Sequence, residues 1–159
     1  IRSGQLVVKS KELTPEKVNV PDWSEDEANK RMTALMESQG YGPGKNRLDA
    51  ILSPADCISA GVIFALKREG YDSNSIPVIT GQDATELALK QIQDGDLSMT
   101  IYKDPYALCD TIVKMVTSIS KHEEVEVNDT STYDNGVKVV ATYLCKPELI
   151  DKHNLNKVR

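Results

Sequence analysis

Cysteine and histidine are scarce in this sequence. Cys57, Cys109 and Cys145 are too few and too scattered for a disulfide framework, and together with His122 and His153 they form no zinc-ligand spacing. They read as small buried hydrophobes, and no metal or other cofactor is expected. A basic surplus is missing too. Lys and Arg number 19 against 24 Asp and Glu, for a net charge of -5, and no segment concentrates the positive charge that phosphate binding requires. This argues against a nucleic-acid partner. No apolar run reaches the length of a membrane span, and no signal peptide, lipobox or initiating Met is present. The opening "IRSGQLVVK" reads as the middle of a longer protein. Catalytic signatures are also lacking: no Cys stands beside a His, and neither Gly-x-Ser-x-Gly nor a dinucleotide fingerprint occurs. The loop "GYGPGKN" fails the phosphate-cradle pattern, which needs Gly at Gln39 and Ser or Thr at Asn46. An enzyme is not expected.

What remains is a chain of 159 residues, 40% hydrophobic and 27% charged, which suits a single soluble domain with a core. Residues 5–10, "QLVVKS", read as a strand. Ser24 with Glu27 makes a capping box, and Ala28, Met32, Leu35 and Met36 give an amphipathic helix that stops at Gly40. Three strand-to-helix units follow. "LDAILS" leads into "ISAGVIFALKREG", "PVIT" leads through "GQD" into "ATELALKQIQDG", and "SMTIYK" leads through Asp104-Pro105 into "YALCDTIVKMVTSISK". Short apolar strands alternating with longer helices imply an α/β fold whose mostly parallel sheet is covered on both sides, a three-layer arrangement. The polar stretch "KHEEVEVNDTST" reads as a solvated loop. "YDNGVKVVATYLC" reads as a turn at Asn135-Gly136 followed by a strand.

Open parallel sheets bind ligands beyond the carboxyl ends of their strands. That rule selects residues 53–56, 81–83 and 102–104. Asp83 has two readings, as a ligand-facing carboxylate or, with Glu86 three residues on, as a helix cap. Lys103 closes an apolar strand and needs either a partner or a path to solvent. Trp23, just before a helix, fits core or staple packing. Asp56 and Asp104 read as caps, and Ile112, Met115, Val116 and Ile119 read as core at helical spacing.

Taken together, "SGQLVVKS", "DAILSPADCISAGVIFALKREGY", "IPVITGQDATELALKQIQDGDLSMTIYKDPYAL" and "YDNGVKVVATYL" resemble the C-terminal part of bacterial sugar-binding receptors of ABC importers, of the xylose-binding and multiple-sugar-binding type. The resemblance implies the periplasmic binding protein-like I fold, with two α/β lobes hinged around a monosaccharide such as xylose, glucose or galactose. It assigns residues 1–103 to most of the C-terminal lobe. Residues 104–132 become a helix and loop of the N-terminal lobe, and residues 133–159 the hinge return and a C-terminal strand segment. The implied partners are a monosaccharide, the missing N-terminal lobe of the same receptor and an ABC permease. The implied location is extracytoplasmic, in the periplasm or as a membrane-anchored lipoprotein. The same architecture also serves sugar-sensing ectodomains that signal to a membrane histidine kinase, and effector domains of lactose-repressor-type regulators. By this resemblance Asp83 accepts hydrogen bonds from sugar hydroxyls, Lys103 donates to the sugar near the hinge, and Trp23 stacks on the pyranose. Many relatives carry an Asn where this chain has Ala55, so one amide contact to the sugar is absent.

Overall fold

Three of the helices begin at side chains that cap them. In the computed structural model, which describes residues 3–158, a single helical turn, α1 (Pro15–Val18), leads to a 3-10 turn over Pro21–Trp23 and then to α2 (Glu25–Gln39). Ser24 Oγ accepts from Glu27 N at 3.3 Å, and Glu25, Asp26 and Glu27 place negative charge in the first turn. After α2 come β1 (Ala50–Ile51), α3 (Asp56–Arg68), β2 (Val78–Ile79), α4 (Glu86–Asp94), β3 (Thr100–Tyr102), α5 (Pro105–Ser120) and β4 (Glu148–Ile150). Asp104 caps α5 as expected, with Oδ1 accepting from Tyr106 N at 2.9 Å and Pro105 in the first turn.

The sheet is mostly parallel, and the class is α/β. β1 pairs with β2 in parallel (Ala50 with Val78, Ile51 with Ile79). A parallel bridge from Thr80 to Met99 links β2 to the approach of β3, and β4 closes the order antiparallel to β3. Ile79, Thr100 and Ile150 are fully buried on one face, under α3 and α4. On the opposite face Val78 and Leu149 stay exposed. The main core joins Met32 and Met36 of α2 with Val62, Ile63 and Leu66 of α3, Ile79, and Ile92 of α4. α2 and α3 approach closely at Gly61, where a Cβ would lie 2.1 Å from Glu25 O. Only a residue without a side chain allows that approach.

Several expectations fail for one physical reason: a strand or a buried stripe needs a neighbour, and none of the described residues provides one. Residues 5–10 form turns with Leu6 and Val7 exposed, not a strand. In residues 133–144 the turn forms, with Asn135 N donating to Lys138 O at 3.2 Å. The strand after it shrinks to isolated bridges, Asp134 with Val139 and Asp129 with Thr142. The stripe of α5 is not core: Ile112, Val116 and Ile119 are exposed, Met115 is half-buried, and no residue of the helix is buried. Nor are the cysteines buried: Cys57 and Cys109 are exposed and Cys145 is partly so.

Candidate functional site

The carboxyl ends of β1, β2 and β3 converge on the loop at residues 81–85, and hydrogen bonds hold this loop at every residue from 82 to 85. Gln82 O accepts from Asp56 N at 2.9 Å, and Asp83 N donates to Ile101 O at 2.8 Å. Ala84 N donates to Thr100 Oγ1 at 3.2 Å, and Thr85 N donates to Asp56 Oδ2 at 2.8 Å. Asp83 and Ala84 have φ of 109° and 54°, a region unfavourable for side chains other than glycine. Gly81 sits directly against the carboxylate below, since a Cβ there would lie 2.3 Å from Asp56 Oδ1.

The loop presents Asp83 to Lys103, whose Nζ lies 2.8 Å from Asp83 Oδ1, with the two side chains 47% and 54% exposed. An ion pair so open to water contributes only about 0.2–1 kcal/mol. Exchanging part of it for ligand contacts is therefore inexpensive. The carboxylate offers up to about four acceptor sites and the ammonium three donors, a set that matches adjacent hydroxyl groups. Asp83 does not cap α4. Thr85 holds that position, its Oγ1 accepting from Ala88 N at 3.2 Å.

Trp23 is 59% exposed, too open for a core residue, and it follows Asp22 in the left-handed region, with φ of 53° and 54° respectively. Its segment reaches this end of the sheet through Val20, which packs on Ala28, Ala55 and Ile58. Asp83 and Lys103 are thus brought into direct contact, whereas the packing of the Trp23 segment reaches the start of α3 at Ala55 and Ile58. Ala55 is the N-cap residue of α3 and is buried. Asp56, read as a cap from the sequence, is instead the first residue of α3, is buried, and bonds to Thr85 N and Thr100 Oγ1. Sequence reasoning passed over this network. Its one visible trace was Gly81 immediately before "QDAT", a glycine that no turn demanded.

Two concavities lie elsewhere. One of about 250 Å³ opens between α5 and residues 124–126, against Lys114, Glu124 and Tyr143. A wider one of about 420 Å³ lies beside residues 42–49 and 74–78, at the amino ends of β1 and β2. Near that second end Asp72 is held below the usual carboxylate range, chiefly by the Ser75 hydroxyl and by Asn74 N–H. In the loop after α5, Asp129 is likewise lowered, by the N–H groups of Ser131 and Thr132 and the Thr132 side chain. The strand-end site is an open edge, with the Asp83 and Lys103 side chains about half exposed.

Residues 4–124 match the model of the periplasmic binding protein domain family. The chain is 41% identical over 160 residues to the multiple sugar-binding periplasmic receptor ChvE of Rhizobium radiobacter, covering 99% of this chain and 44% of that protein. It is 44% identical over 156 residues to the multiple sugar-binding periplasmic protein SbpA of Azospirillum brasilense, covering 97% of this chain and 43% of that protein. Among solved structures, an ABC transporter solute binding protein from Clostridium phytofermentans with bound β-D-glucose superposes with a TM-score of 0.87 at 40% identity, covering 98% of this chain and 47% of that one. The chain thus spans less than half the length of these relatives. With the parallel sheet and the family match agreeing over most of its length, the chain belongs to the periplasmic binding protein domain family.

Proposed function

We propose that this chain forms most of one lobe of an extracytoplasmic monosaccharide receptor, with Asp83 and Lys103 as its polar sugar contacts and Trp23 as an apolar platform. The receptor captures an aldose between two lobes and presents the closed form to an ABC permease. The observation that carries this reading is the Asp83–Lys103 pair, 2.8 Å apart and half open to water, at the carboxyl ends of the parallel strands. Support comes from the relatives named above, two of them multiple sugar-binding and one with β-D-glucose bound. An aromatic face such as that of Trp23 covers the C–H side of a pyranose.

Residues 104–132 form a helix and loop of the other lobe in this reading, and residues 133–159 return through the hinge to the strand at residues 148–150. The apolar stripe of α5 supports that division, because Ile112, Val116 and Ile119 stay exposed. Calorimetric titration of the full-length receptor with D-glucose, D-galactose, D-xylose and L-arabinose tests the proposal. At least one aldose should bind at micromolar affinity or tighter. Absence of binding to all four contradicts it.

A further inference from the structure

We propose that Asp56 and Thr100 are positioning residues for the carboxylate of Asp83, an inference that rests on reading Asp83 as a sugar contact. Both lie beneath the ligand edge, Asp56 at 3% exposure and Thr100 at 0%, so neither can touch a sugar held there. Their bonds run instead to the loop that carries Asp83. Thr100 Oγ1 donates to Asp56 Oδ1 at 2.7 Å and accepts from Ala84 N at 3.2 Å. The other oxygen of Asp56 accepts from Thr85 N at 2.8 Å. The two side chains thus form one relay that fastens both residues following Asp83.

Three further observations fit a clamp better than a cap. First, the partners of Asp56 lie 29 and 44 residues away in sequence, whereas a capping carboxylate serves its own helix. Second, Asp83 and Ala84 stand at φ of 109° and 54°, and such a backbone persists only where its surroundings over-determine it. Third, Gly81 allows the loop to descend onto Asp56, because a Cβ there would lie 2.3 Å from Oδ1. Without the relay, Ala84 N–H and Thr85 N–H lose their buried acceptors, and the loop can relax toward ordinary dihedral angles. That relaxation carries the Asp83 carboxylate away from Lys103 Nζ.

The test compares Thr100→Val, which keeps the shape and removes both hydrogen bonds, with Thr100→Ser, which keeps the hydroxyl. Each is made in the full-length receptor and titrated with the four aldoses named above. Thr100→Val should weaken binding about tenfold, the loss of roughly one buried hydrogen bond, while Thr100→Ser stays within about twofold of wild type. In the same proteins without sugar, amide hydrogen exchange at Ala84 and Thr85 should quicken in Thr100→Val while Thr80 in the sheet is unchanged. A general loss of stability would quicken all three. Equal affinity for the Val and Ser variants overturns the positioning role while leaving the sugar site standing. A wild-type receptor that binds none of the aldoses overturns the functional reading itself, and the positioning role with it. If Thr100→Val does not fold, wild-type exchange decides: Ala84 and Thr85 amides as fast as an open loop overturn the clamp, and slow exchange supports it.

Discussion

Thr85, and not Asp83, starts α4, which opens the two side chains to separate tests. Asp83→Asn keeps a side chain that tolerates positive φ but removes the charged acceptor, so it should weaken sugar binding by about 1.5–3 kcal/mol with little change in stability. Thr85→Ala should do the reverse, lowering stability by about 1 kcal/mol through loss of the cap while affinity holds. Urea denaturation and a binding isotherm on both variants check this, and tight binding by Asp83→Asn would refute the ligand role. Asp72 offers a pH test. Its folded carboxyl is held low by Ser75 and Asn74, so the unfolded chain binds the proton more readily. Its contribution is therefore present above the usual carboxyl value of about 3.9 and is lost as pH falls through the lower folded value. The stability advantage of wild type over Asp72→Asn should shrink from about pH 5 toward about pH 2. An advantage that is constant or grows in acid contradicts it. These residues also show what one sequence can reveal. The carboxylate in "GQDA" and the lysine after "TIY" were legible as a pair of strand-end groups. Which side chain caps the helix was not, because Asp83 and Thr85 both suit an N-cap and only the folded backbone and the bond from Ala88 N to Thr85 Oγ1 choose between them.

Helices with local caps were legible nearly to the residue. Ser24 and Gly40 bracket α2, and Asp104 with Pro105 opens α5, because a cap acts within one turn of its own helix. Strands were less legible, since a strand is defined by its neighbour. Residues 5–10 and 133–144 have strand composition but no continuous partner strand among the described residues, so the first forms turns and the second isolated bridges. The periodicity of α5 located an apolar face but carried no information on what covers it. The α2–α3 packing depends on one position. Gly61→Ala would bring a Cβ to 2.1 Å from Glu25 O, backbone that cannot swing aside as a flexible side chain does. Forcing the helices apart should cost about 1–3 kcal/mol. A urea midpoint equal to wild type for Gly61→Ala would show that α2 and α3 do not meet as closely as described.

At the scale of the molecule, apolar surface stays uncovered in several places among the described residues, including Leu6 and Val7 near the start, Val78 and Leu149 on the open sheet face, Leu108, Val113 and Val116 along α5, and Val137 in the loop after it. Surface of this kind is recruited by other chains. The 159-residue chain by itself should therefore associate as its concentration rises, and it should bind aldoses far more weakly than the full-length receptor, because one open lobe leaves its polar contacts competing with water. Sedimentation that finds a strictly monomeric, cooperatively folded species with micromolar aldose affinity would contradict both expectations. The proposed half-site at the carboxyl ends of these strands is tested by a crystal structure of the full-length receptor grown with the aldose that calorimetry selects. Asp83 Oδ and Lys103 Nζ should each lie within about 3.2 Å of sugar hydroxyls, with Trp23 against the sugar's apolar face. A sugar bound away from residues 81–85, with the Asp83–Lys103 pair intact and facing water, would contradict it.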